Sequence, residues 1–151
     1  MKPNAPYALL VLLFCVVTTA GFSQTSPAKP SQFNAFPNVI NCTETELSRI
    51  FNAPAGQTIN LSFSDNFNFS GTVTSNIVKY ANLQTAVVTS PDYSNTIFSV
   101  SKITNPDGST GYIGRIINKH FFDGFELKQN QAGSYQLVKM ETDRVIQDCS
   151  Q

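Results

Sequence analysis

Tryptophan is absent from the chain and histidine occurs once, at His120. Both scarcities narrow the chemistry. Without Trp the sequence lacks the largest amphipathic ring for stacking on a sugar. A zinc site normally draws on several His or Cys ligands, and one histidine with three cysteines supplies a poor set. No metal and no cofactor is therefore expected. Charge is also sparse, at 13% of residues, and evenly split between ten basic and ten acidic side chains. Such balance gives no electrostatic attraction to nucleic acid or to an anionic membrane. A polar surface must come from Asn, Ser, Thr and Gln.

Long apolar runs are missing too, with one exception. Residues 8–20, "ALLVLLFCVVTTA", are apolar but shorter than the roughly 20 residues a membrane helix needs. Preceded by Lys2 and followed by small residues at Gly21 and Ser23, they have the three-part form of a secretory signal, residues 1–23, with Gln24 as the new N-terminus. Cys15 lies inside this run behind the bulky Phe14, which argues against lipidation. Export predicts a secreted or periplasmic protein with no membrane attachment after cleavage. Removing Lys2 leaves nine basic and ten acidic residues, a net charge of −1. Cys42 and Cys149 are then the remaining cysteines, and an even pair in an exported chain predicts one disulfide. Its loop of about 100 residues is worth on the order of 4–5 kcal/mol in the chain-entropy view.

Residues 24–35 are rich in Pro, Ser and Gln and predict a flexible leader. A single disulfide-tied domain, residues 36–151, follows. Thr43 with Glu46 makes a capping box, Leu47, Ile50 and Phe51 share one helical face, and Asn52 with Pro54 stops the helix. From residue 59 the period changes to two. Ile59, Leu61, Phe63, Phe67, Phe69 and Val73 alternate with Asn, Ser and Thr, predicting a hairpin with one wet face and a turn at Ser64–Asn66 that sets Phe63 opposite Phe67. Further strands are expected at 83–90, 94–104, 110–119, 124–129 and 133–140, with "NPDG" (105–108) as a hairpin turn. The fold class is therefore α+β, mostly β: one N-terminal helix packed on about seven mainly antiparallel strands, in a meander sheet or half-open barrel.

Three places could carry function. In "NKHFFDGFEL" (118–127), His120 as a general base with Asp123 or Glu126 as its orienter would make a small hydrolase. The same stretch reads more simply as a hairpin end, with Phe125 and Leu127 buried. No serine-nucleophile motif accompanies the histidine, so no catalytic residue is assigned. The wet face, Asn60, Ser62, Asn68, Ser70, Thr72 and Thr74, could hydrogen-bond a polar polymer, although Ser and Thr populate any exposed strand. The loops at 90–95 and 105–111 offer Tyr93, Asp107 and Ser109 as contact residues on a rigid scaffold. The expectation is an exported, non-enzymatic binding module, an inhibitor among its forms, whose partner is an extracellular protein or polar polymer. The competing readings are a carrier with an apolar cavity inside a curled sheet and the His120 hydrolase.

Overall fold

The computed structural model describes residues 28–145. Residues 1–27, where the signal segment is expected, and Cys149 lie outside them. Strand β1 (Val39–Cys42) leads into helix α1 (Glu44–Asn52). Seven strands follow: β2 (Thr58–Ser64), β3 (Phe67–Tyr80), β4 (Leu83–Ser90), β5 (Thr96–Thr104), β6 (Thr110–Ile117), β7 (Asp123–Gln129) and β8 (Tyr135–Glu141). All pair antiparallel, in the order β1-β8-β7-β6-β5-β4-β3-β2. The sheet is thus a meander that curls until β1 and β2 face each other, a nearly closed barrel of eight strands where seven were expected. The extra strand is β1, which pairs Val39 with Val138 and Cys42 with Tyr135.

Alternation explains the curl. Leu61, Phe67, Phe69, Val73, Val88, Phe98, Ile116, Phe125 and Leu137 all point inwards and are fully or almost fully buried. Glycines at Gly71, Gly114 and Gly124 let neighbouring strands approach closely. A Cβ on Gly71 would stand 2.6 Å from the Thr89 carbonyl oxygen, and one on Gly114 2.6 Å from that of Ser99. The β2–β3 hairpin differs in detail from expectation. Leu61 does face Phe69, but a bulge near Phe63 puts Ser64 opposite Phe67 across a two-residue turn, Asp65-Asn66.

One end of the barrel is closed by α1. Thr43 caps it, its hydroxyl accepting from the Glu46 amide at 3.3 Å. The second half of the expected capping box is absent, because the Glu46 carboxylate instead accepts from Arg49 and from the Ser62 amide of β2. At the other terminus Asn76 of β3 donates through Nδ2 to the carbonyls of Phe51 at 3.0 Å and Ala53 at 2.8 Å, and Gln84 donates to the Asn76 side-chain oxygen at 2.8 Å. Strand side chains therefore satisfy carbonyls that a helix end leaves orphaned.

The opposite end is closed by the segment before β1. Residues 28–35 belong to the stretch read as a leader, yet Phe33 is completely buried, its ring 5.2 Å from that of Phe125 and 6.0 Å from Phe67. The buried carboxylate of Asp123 holds this segment, accepting from Ser31 Oγ, from the Gln32 amide at 2.6 Å and from the Phe33 amide at 2.9 Å. Lys29 pairs with Asp143 at 2.6 Å.

Among the described residues no disulfide is formed, and Cys149, the expected partner of Cys42, lies outside them. Cys42 is a free, buried thiol on the inner face of β1, at the helix end of the barrel. The described chain finishes at the other end, where the Thr142 amide donates to the Phe122 carbonyl at 2.7 Å. Antiparallel β8 runs between them, so its length separates Cys42 from the last described residues.

Candidate functional site

His120 sits in the exposed loop between β6 and β7. Its backbone amide donates to Asn118 Oδ1 at 3.0 Å, while its imidazole makes no hydrogen bond among the described residues. The two carboxylates offered as its orienters are engaged elsewhere. Asp123 points into the barrel, where its oxygens accept from residues 31–33. Glu126, three residues along the same strand, points to the opposite face. There it meets Lys128 Nζ at 2.7 Å and Arg115 at 3.2 Å, and these two cations, Lys128 foremost, hold its carboxyl below the ordinary glutamate range. The structure does not bring His120, Asp123 and Glu126 together.

Tyr93 also turns inwards. Its ring stacks on Phe69 at 5.8 Å and 8° and lies 5.5 Å from Phe33, while its hydroxyl donates to the Asn68 carbonyl at 3.1 Å. Burial, with the Asp92 carboxylate adding to it, pushes its phenol above 10.0. Asp107 and Ser109 remain exposed at the tip of the β5–β6 hairpin. Asp107 Oδ1 accepts from Ser109 Oγ at 2.6 Å and from the Ser109 amide at 2.9 Å, and those bonds lower its pKa. Gly108 adopts φ +83° to complete this turn. Tyr93 and Asp107 flank opposite ends of the nine-residue strand β5. At about 3.4 Å per residue that places them roughly 30 Å apart. The three expected contact residues do not form one site. The wet face is present as expected, with Asn60 opposite Ser70, Ser62 opposite Asn68, and Thr58 opposite Thr72.

The barrel interior is lined by aromatic side chains. Phe33, Phe67, Phe69, Phe98 and Phe125 are each wholly buried and meet edge to face or tilted. A groove of about 670 Å³ lies outside, on the outer faces of β5, β6 and β7. Its floor is Ser99 and Ser101, where small side chains leave room. Ile113 and Ile117 supply apolar walls, and Arg115, Glu126 and Lys128 supply charge. The strands diverge here: β6 and β7 are paired only from Gly114 to Ile116 and from Phe125 to Leu127. Ile113, 56% exposed, is the most exposed apolar residue of the groove. Sequence patterning missed this site because outward Ser, Ile and Arg in alternation resemble any solvated strand face. The signal it carried was an isoleucine pair, Ile113 and Ile117, at outward positions.

Among the described residues no three His, Cys, Asp or Glu side chains cluster as a metal would need, and no helix is long and apolar enough to cross a membrane. Compared with family models, curated proteins and solved structures, the chain matches none.

Proposed function

We propose that this chain is an exported, non-enzymatic interaction module that binds an extracellular protein through the groove on β5–β7. The observation that carries the reading is the division between inside and outside. The barrel is filled with phenylalanine, plugged by Phe33 at one end and by α1 at the other, so recognition falls to the exterior. The groove combines apolar walls with charge and, at about 670 Å³, is larger than the exterior concavity of about 430 Å³ beside Val39, Phe122 and Lys139. Arg115 and Lys128 share the single carboxylate of Glu126, leaving one positive charge in excess. A protein segment with an apolar side chain beside a carboxylate complements that surface, and desolvated apolar contacts at the centre of such a patch carry most of the affinity. Inhibition of the bound protein is one consequence such binding can have. The apolar interior and Ser, Thr and Asn exterior also run opposite to the pattern of a membrane barrel.

Affinity capture from the exported fraction of the source, with wild type and an Ile113→Glu variant side by side, tests this reading. A partner retained by wild type and lost by the variant supports it. Reproducible turnover by the purified domain that a His120→Ala change abolishes would overturn it in favour of the hydrolase.

A further inference from the structure

Strand β3 has fourteen residues and its neighbour β2 has seven. β2 accompanies β3 only as far as Thr72, and Gly56 and Gln57 add two backbone bonds at Val73. Beyond Val73, among the described residues, β3 pairs with β4 on one side and with no strand on the other. The same stretch exposes Ile77 by 54%, Val78 by 66% and Tyr80 by 68%. Ile77 and Val78 are adjacent on a strand and so point to opposite faces. Folding the hairpin back onto the barrel could therefore cover only one of them. An open edge of apolar, β-branched residues is a template for another strand.

We propose that this edge is a self-association surface, in which residues 75–79 of two copies of the chain pair antiparallel about a two-fold axis through Ile77. An antiparallel edge is complementary to itself, and a second copy satisfies the open backbone groups of both partners in one contact. The side-chain register fits as well. With Ile77 on the axis it faces its own counterpart, Asn76 faces Val78, and Lys79, the segment's single charge, faces Ser75. An axis at Lys79 would instead set two ammonium groups opposite each other, which is unfavourable. A foreign strand would find one charge to select it, whereas the two-fold register uses every position. The contact is small: five residues per copy against the roughly 20–30 per side of a standard interface. The dimer is accordingly weak and concentration-dependent.

Two measurements test this on the mature chain. Sedimentation velocity from about 10 µM to about 1 mM, a range spanning weak dissociation constants, should show a monomer giving way to a dimer, and Ile77→Lys should remain monomeric throughout. Cysteine cross-linking in a Cys149→Ser background tests the register. Facing residues of an antiparallel pair have Cα atoms about 4.5–5.5 Å apart, inside the span a disulfide bridges. Ile77→Cys should cross-link with itself, while Ser75→Cys and Lys79→Cys should do so only when mixed. Ile113→Cys, of similar exposure at 56%, serves as the control for random collision. A wild-type monomer at the highest concentration, or cross-linking of Ile113→Cys as fast as that of Ile77→Cys, would overturn the proposal. Self-linking of Ser75→Cys would overturn it as well.

Discussion

His120 and Phe125 are five residues apart and differ in everything that decides the cost of losing them. The histidine is an exposed loop residue whose imidazole makes no hydrogen bond among the described residues, whereas Phe125 is wholly buried with rings 5.2 and 5.3 Å away. His120→Ala should therefore change stability by no more than about 0.5 kcal/mol. Phe125→Ala should cost about 3–5 kcal/mol through lost transfer energy and a residual cavity. Denaturant midpoints of the two variants check this, and equal losses would mean the loop has been misplaced. Alternation with Leu127 made Phe125 legible in the sequence. The role of Asp123 was not, because its three donors come from residues 31–33, about ninety positions away.

Cys42 gives a second test at the same scale. Burial pushes its thiol up to about 12 from 9.0, with a hydrogen bond from the Leu137 backbone opposing. A raised thiol pKa means that above pH 9 the unfolded chain releases a proton the folded chain keeps. Stability is thus fully present below about pH 9 and falls as the pH climbs from there towards 12. The tyrosines Tyr93, Tyr112 and Tyr135, each raised above 10.0 by burial, add to the loss only at higher pH. Cys42→Ala should move the onset of alkaline destabilisation from about pH 9 towards pH 10, read as the slope of the denaturant midpoint against pH. An unchanged onset, or intact mass showing two hydrogens gained on reduction, would place Cys42 in a disulfide instead.

At the scale of elements, α1 depends on β3 for its C-terminal end. Asn76→Ala removes the Nδ2 donor that serves the carbonyls of Phe51 and Ala53 and leaves Gln84, at 3.3 Å, as the side-chain donor to the Phe51 carbonyl. Leaving the Ala53 carbonyl unpaired should cost about 1–3 kcal/mol, and exchange of amides in residues 47–53 should quicken relative to the barrel. Equal protection in both proteins would show that the helix end is held by packing alone. The helix itself was legible from Thr43, Glu46 and the Leu47, Ile50, Phe51 spacing. Its anchor was hidden, since the bulge at Thr74 breaks the two-residue period and conceals the extension of β3 to Tyr80. β1 escaped notice for a related reason: four residues, "VINC", offer too little alternation to distinguish a strand from a loop. In residues 24–35 the Pro, Ser and Gln composition masked one phenylalanine, Phe33, that belongs to the core.

For the molecule as a whole, antiparallel hairpins followed from local patterning, while closure depends on the long-range pairing of β1 with β8 and on plugs at both ends. Period-two alternation separates inner from outer residues but does not say how many strands meet, so a half-open barrel was as far as the sequence led. On the proposed reading, an interior packed with phenylalanine turns recognition outwards, to the groove of β5–β7. Hydrogen exchange of residues 24–151 with and without a protein captured on the groove tests that reading most directly. Slowed exchange concentrated at residues 99–101, 113–117 and 126–129, with residues 31–36 and 118–122 unchanged, is the predicted result. Protection centred on 118–122 around His120, with the groove unaffected, would contradict it.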